Sequence, residues 1–161
     1  MTTVPPVSPD EFHFGDRLPL LPIRNALLFP TAVAPFEVGR PKSVRLIQEL
    51  EKATDPVVAI FAQRDPRTDD PRQEELYPYG AAARLLKVIR HSSGASMSVI
   101  LQGGVRIRLD EIVQREPFLT ARVTRLADVF TTDVELEALL APEVREAIAQ
   151  AGVRLVSYRE L

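Results

Sequence analysis

The sequence predicts a mainly β (α+β) fold, with a closed or nearly closed sheet followed by the start of a helical segment. Three observations predict this fold class. The apolar stretch 18–40 contains four prolines, which favour short bent strands over a helix. Apolar runs and alternating patterns typical of strands continue to residue 126, and helical periodicity interrupts them once. After Asp128 the periodicity is helical.

The opening stretch is predicted to form a strand, a turn at Phe29-Pro30 and a second strand. Proline lacks the amide hydrogen, so a sheet tolerates it at strand starts, edges and bulges. Bends of this kind suit the corners of a closed sheet. Next along the chain, Gly39-Arg40-Pro41 is typical of a helix entry with proline in the first turn.

One helix is predicted after Pro41, because apolar residues recur on one face over about three turns, at Val44, Leu46, Ile47, Leu50 and Ala53. Residues 57–62 are a continuous apolar run of strand length, which we predict to be buried on both faces at the centre of the sheet. Residues 64–76 carry two prolines and charges of both signs, which indicates an exposed loop.

The remaining strands are predicted where apolar and polar residues alternate, at 81–90, 96–101, 105–110 and 117–126. The first two form a hairpin around a turn at 91–94. Gly103-Gly104 allows a sharp bend or a bulge before the third.

Three segments are therefore expected: a flexible tail at 1–16, the sheet domain at 17–128 and the beginning of a helical subdomain at 129–161. The tail lacks the basic start and apolar core of a signal peptide. Helices are predicted at 134–140 and from Pro142 onwards. The second keeps its apolar stripe almost to Leu161 without a stop signal, so we expect the chain to be part of a longer one.

Composition excludes several classes of function. The chain has no cysteine, so disulfides, thiolate metal sites and a cysteine nucleophile are absent. No apolar run approaches the roughly 20 residues that cross a bilayer, and no phosphate-binding loop of the form GxxxxGK[ST] occurs. The net charge of −2 gives no general attraction to nucleic acid. We expect a cytoplasmic protein.

The two histidines could be catalytic or ligand residues, and the acidic loop could bind calcium. An ordinary solvated surface explains both better. His13 lies in the expected tail and His91 in a hairpin turn. The acidic residues of 65–75 lack the central glycine and the residue order of a calcium loop.

Two further pairs of residues could suggest a function, a lysine-serine dyad for catalysis and an arginine pair for RNA binding. Lys42 and Ser43 are sequence neighbours at a helix start, where adjacent side chains do not face each other, so a catalytic dyad is not expected. Arg106 and Arg108 share a strand face that could meet RNA phosphates. Acidic residues follow them, however, and no aromatic platform for bases accompanies them.

An apolar patch is predicted from two residues that break the alternation. Ile100 shares its face with Ser98, and Pro35 shares its face with Glu37, so each is an apolar residue among polar ones. If Pro35 and Ile100 lie side by side at a sheet edge, and Phe36 is partly exposed there, the three residues form a candidate patch that binds unfolded polypeptide. Single exposed apolar residues are also common on ordinary surfaces.

Five blocks of sequence follow one another: LPLLPIRNALLFP at 18–30, PFEVGRPKS at 35–43, VVAIFAQRD at 57–65, LYPYGAAARLL at 76–86 and VILQGGVRIRL at 99–109. In this order and spacing they resemble the amino-terminal domain of bacterial Lon, the ATP-dependent protease. The similarity covers about residues 18–127. The departures are Gln102 and Gly103, where the family more often has an acidic or other polar residue, and Tyr79, which occupies a variable position.

The resemblance implies a PUA-like, six-stranded pseudo-barrel with one helix, followed by a helical subdomain. It implies a substrate-recognition module for unfolded, damaged or degron-bearing proteins, with Pro35, Phe36 and Ile100 as candidate substrate contacts and no catalytic, cofactor or metal site of its own. ATP and Mg²⁺ would belong to an AAA+ domain downstream, and a Ser-Lys dyad to a protease domain. The parent would be a cytoplasmic homohexamer that needs no membrane.

Two alternatives stay open beside this interpretation. The first is a free-standing protein with a Lon substrate-binding domain and no protease attached, against which the uncapped last helix argues. The second is a PUA-like RNA-binding module, which rests on fold analogy alone. A net charge of −2 makes nucleic acid an unexpected partner for this domain.

Overall fold

The computed structural model of the protein describes residues 12–127 and 142–151. The chain divides into two compact units, residues 1–127 and 128–161. In the first unit the elements are β1 (Arg17–Ile23), β2 (Val33–Val38), α1 (Pro41–Leu50), β3 (Val57–Ala62), a 3-10 turn (Gln73–Glu75), β4 (Tyr79–Arg90), β5 (Met97–Gln114) and β6 (Thr120–Arg125). In the second, α2 spans Pro142–Gln150. The helix predicted at 134–140 lies outside the described residues.

The six strands form one sheet in the order β2-β5-β4-β3-β1-β6, and β6 pairs again with β5. Five strands therefore close into a ring, and β2 extends it from β5 as an edge strand. β1 and β3 run parallel, whereas the other neighbours are antiparallel. This arrangement confirms the nearly closed, mainly β fold, with Pro35 in the edge strand that tolerates it.

The strand β3 is buried along its whole length, as its apolar run predicts. Its side chains alternate between two hydrophobic clusters. Val58 and Ile60 belong to a cluster that also contains the buried face of α1, formed by Leu46, Ile47 and Leu50. Val57, Ala59 and Phe61 belong to a second cluster on the other face of the strand. The helix ends at Leu50, one turn before the predicted Ala53.

A bulge interrupts β5 at its glycine pair, as predicted. Ala82 pairs with Val105 and Ala83 with Gly103, so Gly104 is the extra residue between them. A side chain at Gly104 would overlap the ring of Phe12, whose nearest atoms lie 2.5 Å from an ideal Cβ. β5 nevertheless continues as one strand of 18 residues, where the sequence suggested two shorter ones.

The amino-terminal segment differs from the prediction of a loose tail up to residue 16. Phe12 is fully buried in the second cluster and meets Phe14 edge to face at 6.3 Å between ring centroids. The guanidinium of Arg84 lies 5.1 Å from the centre of the Phe12 ring. Arg125 Nη1 donates a hydrogen bond to the Phe12 carbonyl at 3.0 Å. Residues 12–16 therefore belong to the folded domain, because an aromatic ring fills space over the bulge.

Arg40 ties the helix entry to the sheet. Its Nη1 donates to Gln63 Oε1 at 2.6 Å, and its Nη2 donates to the Pro22 carbonyl at 2.5 Å. Pro22 lies in the half of β1 whose pairing is with β3. The arginine thus satisfies the carbonyl of a proline, a residue that has no amide hydrogen to contribute to the ladder.

Candidate functional site

The structure brings together two of the three residues predicted to form an apolar patch. Pro35 in β2 and Ile100 in β5 are direct partners in the antiparallel pairing. Pro35 is exposed and Ile100 is half-buried. Phe36 is half-buried and packs against the first hydrophobic cluster instead, because successive side chains in a strand point to opposite faces. Phe36 therefore supports the patch from the core side.

Two exposed apolar residues that sequence reasoning missed extend this face. Val33 lies two residues before Pro35 in β2 and is 48 % exposed. Ile89 in β4 is 42 % exposed and pairs with Ser98, two residues from Ile100. Diagonal neighbours of this kind are within reach of each other across adjacent strands. We call Val33, Pro35, Ile89 and Ile100 the apolar patch.

The signals for the two missed residues differ. Val33 shares its register with Pro35 and Glu37, so counting by twos along β2 would have found it. Ile89 joins the patch only through the pairing of β4 with β5, which a bulge between Leu85 and Lys87 shifts. Local alternation carries no information about such a shift.

A polar rim borders the patch two residues beyond the Pro35–Ile100 pair, where β2 and β5 carry polar side chains. Glu37 and Ser98 are strand partners, and Ser98 Oγ donates a hydrogen bond to Glu37 Oε1. His91 Nε2 lies 2.9 Å from Ser98 Oγ and 3.2 Å from Glu37 Oε2. The serine hydroxyl donates its proton to Glu37, so His91 does not accept it and the three residues lack the serine-to-histidine hydrogen bond of a catalytic triad. They place polar groups beside the apolar side chains at one end of the patch.

The hydrogen bond from Ser98, followed by the contact with His91, holds the pKa of Glu37 below its usual range. We expect Ser98→Ala to raise this pKa, because the ionised carboxylate loses its main donor. Following the Glu37 carboxyl carbon by NMR during an acid titration measures the change. Ser92→Ala, in the nearby hairpin turn, is the control. An unchanged Glu37 pKa in Ser98→Ala would contradict the rim geometry.

Lys42 and Ser43 have no arrangement suited to catalysis. Lys42 Nζ lies 2.7 Å from Glu116 Oε1 and 3.0 Å from Asp70 Oδ2. The hydrogen bonds with Glu116 and then with Asp70 raise the pKa of Lys42. A lysine that acts as a general base needs the opposite shift.

Two of the other polar candidates, Asp65 and Arg108, are engaged in ion pairs on the surface. Asp65 pairs with Arg67 at 3.1 Å, and Arg108 pairs with Asp110 at 3.0 Å. In the part of the chain that the structure describes, no cluster of His, Asp and Glu side chains is arranged to hold a metal ion. Within the same part, neither helix has the length and hydrophobicity needed to cross a bilayer.

Comparisons with known proteins agree with this architecture. Residues 17–158 match the model of the ATP-dependent protease La (LON) substrate-binding domain. Lon protease 2 of Sorangium cellulosum is 44 % identical over 142 residues, which are 88 % of this chain and 17 % of that protein. Lon protease of Parabacteroides distasonis is 40 % identical over 129 residues, 79 % of this chain and 15 % of that protein. The chain thus spans less than a fifth of either relative.

Two solved structures share the fold at 17 % sequence identity. The N-terminal domain of Mycobacterium avium complex Lon protease matches with a TM-score of 0.57 over 85 % of this chain and 72 % of that one. The Lon N-terminal domain protein from Xanthomonas campestris matches with a TM-score of 0.53 over 69 % of this chain and 60 % of that one. The family match over residues 17–158 and the identities of 44 % and 40 % show the family. The chain belongs to the family of Lon substrate-binding domains.

Proposed function

We propose that this domain recognises unfolded, damaged or degron-bearing proteins for an ATP-dependent Lon protease, and that the apolar patch makes the contact. The observation that carries the proposal is the placement of four apolar side chains across three neighbouring strands, β2, β5 and β4. Segments that are buried in folded proteins and exposed in unfolded ones are apolar, so a patch of this kind distinguishes the two states.

The patch suits a filter that must release what it captures. Burying the exposed part of one such side chain contributes about 1 kcal/mol, which corresponds to about a fivefold change in affinity. A few contacts of this size give weak binding at one domain. Several domains presented side by side strengthen it without a new contact, which accords with a homohexameric parent.

The chemical steps of the proposed parent lie outside this domain. An AAA+ domain that binds ATP and Mg²⁺ would pull the captured chain, and a protease domain with a Ser-Lys dyad would cut it. The setting is the cytoplasm. The described domain contributes binding alone, and its Lys42 is held in a state unsuited to base catalysis.

The patch is tested by titrating the isotope-labelled 161-residue chain with a reduced, permanently unfolded model protein and following amide shifts by NMR. We expect Ile100→Ser and Pro35→Ser each to weaken binding about threefold to fivefold, since each removes part of an apolar contact of about 1 kcal/mol. Val113→Ser is the matched control, because Val113 is a half-buried apolar residue of the same strand outside the patch.

Three outcomes are informative. Loss of affinity in the two patch variants with normal binding by the control supports the patch. Equal affinity in all variants contradicts the patch as the contact surface. Absence of any shift in the unsubstituted chain contradicts recognition of unfolded protein by this domain.

A further inference from the structure

An apolar concavity of about 860 Å³ lies between the loop that joins β1 to β2 and the connection from β3 to β4. Four large side chains line it and remain exposed: Leu27 at 65 %, Phe29 at 58 %, Tyr77 at 46 % and Tyr79 at 63 %. We call these four residues with Arg64 the aromatic groove. None of them belongs to the apolar patch.

Backbone hydrogen bonds fix one wall of the groove. The amide of Arg64 donates to the Glu75 carbonyl at 2.8 Å, and the amide of Tyr77 donates to the Ala62 carbonyl at 2.9 Å. The chain that carries Tyr77 is therefore attached to the end of β3. The side chain of this tyrosine is therefore exposed at a fixed position, because its backbone is hydrogen bonded to a buried strand.

The loop that carries Leu27 and Phe29 is attached to β5. The Thr31 amide donates to the Gly103 carbonyl at 2.9 Å, and the Gly103 amide donates to the Ala32 carbonyl at 2.8 Å. The loop also fits closely over Gly103, where an added Cβ would lie 2.1 Å from the Phe29 carbonyl oxygen. Both walls are thus formed before any ligand binds. This lowers the conformational entropy that is lost on binding.

One charged side chain lines the groove, that of Arg64. Its guanidinium carbon lies 4.7 Å from the centre of the Tyr77 ring. Among the described residues no carboxylate forms an ion pair with it, whereas Arg24, in the loop that carries Leu27, pairs with Asp69 at 2.8 Å. A cation over an aromatic face, without a carboxylate partner, leaves hydrogen-bond donors available to an acidic ligand.

The groove and the apolar patch meet β5 at successive residues. Val33 of the patch pairs with Gln102, and the Phe29 backbone lies over the next residue of β5, Gly103. Gln102 and Gly103 are successive residues of β5, so they face opposite sides of the sheet. The groove is therefore a surface distinct from the one to which the proposed function assigns substrate.

We propose that the aromatic groove binds an extended polypeptide segment that carries an aromatic or aliphatic side chain followed within a few residues by a carboxylate. The apolar side chain packs among Leu27, Phe29 and Tyr79, and the carboxylate accepts hydrogen bonds from Arg64. The proposal rests on the proposed function, because it names the class of substrate segment that the domain selects. It adds a charge preference that the apolar patch alone does not provide.

The test compares two short unstructured peptides by NMR titration of the labelled 161-residue chain. Both contain a phenylalanine-leucine pair, followed in one by an aspartate pair and in the other by an asparagine pair. We expect the acidic peptide to bind about threefold more tightly, the effect of one exposed ion pair, with shifts concentrated at the groove.

Three variants separate the two contributions. Arg64→Gln is expected to remove the preference for the acidic peptide, so that the two peptides bind with equal affinity. Phe29→Ser is expected to weaken both peptides about fivefold, because the apolar contact is common to them. Arg45→Gln is the control, since it removes the same charge from an exposed position of α1 outside the groove.

The outcomes distinguish this inference from the proposed function. Equal affinity for the two peptides, or a preference that survives Arg64→Gln, overturns the inference. If the apolar patch variants weaken binding of unfolded protein and the groove variants do not, the proposed function stands without the groove. Shifts at the groove that grow with protein concentration in the absence of peptide would identify a second copy of the chain as the occupant and also overturn it.

Discussion

Replacing Phe12 with alanine is expected to lower the free energy of unfolding by about 3–5 kcal/mol, the usual cost of removing a buried aromatic side chain. The ring is completely buried and lies between Gly104 on the bulge of β5 and the guanidinium of Arg84. Its removal leaves a cavity that rigid strands cannot close. Urea unfolding followed by circular dichroism measures the change.

The matched control for this variant is Phe29→Ala. It makes the same chemical change at a side chain that is 58 % exposed. We expect it to alter stability by less than about 0.5 kcal/mol, as is usual for surface substitutions. If the two variants were equally stable, the amino-terminal segment would not be part of the hydrophobic core.

Gly103→Ala is expected to destabilise the domain by about 2–3 kcal/mol, because an added methyl group would overlap backbone atoms rather than a movable side chain. The nearest atom to an ideal Cβ is the Phe29 carbonyl oxygen at 2.1 Å. The chain must either shift the loop or distort β5, and the two hydrogen bonds of Gly103 with Thr31 and Ala32 oppose both movements. Thermal unfolding measures the loss.

Gly39→Ala is the control for this variant. An added Cβ at Gly39 would lie 3.7 Å from Ser96 Cβ, which is an ordinary contact. A small effect at Gly39 together with a large one at Gly103 supports the close approach of the β1–β2 loop to β5. A Gly103→Ala variant as stable as the unsubstituted chain would show that the loop does not pack there.

The features that the sequence predicts correctly are those that depend on neighbouring residues. The run of residues 57–62 is apolar at every position, so it is buried whichever way it pairs. Pro41 begins α1 because its fixed backbone angle and missing amide hydrogen suit the first turn. The glycine pair of β5 forms a bulge because residues without Cβ are needed where other chain approaches.

The features that the sequence does not reveal depend on contacts between distant segments. Phe12 looks like part of a polar tail until the bulge of β5 provides a place for its ring. Ile89 joins the apolar patch only through the pairing of β4 with β5. The aromatic groove brings together Phe29, from the β1–β2 loop, and Tyr79, from the start of β4, which lie far apart along the chain. Periodicity assigns a residue to a face but not to a neighbour.

Among the described strands β2 pairs only with β5, whereas β5 has three neighbours and each of the other four strands has two. Separating β2 from the ring would break one ladder and leave the closed ring with its own pairings intact. Local opening of such a strand requires less free energy than global unfolding. Half of the apolar patch, Val33 and Pro35, is thus carried by the strand with the fewest pairings. Under the proposed function, opening of this strand lets one domain accommodate polypeptides of different shape while the closed ring keeps its fold.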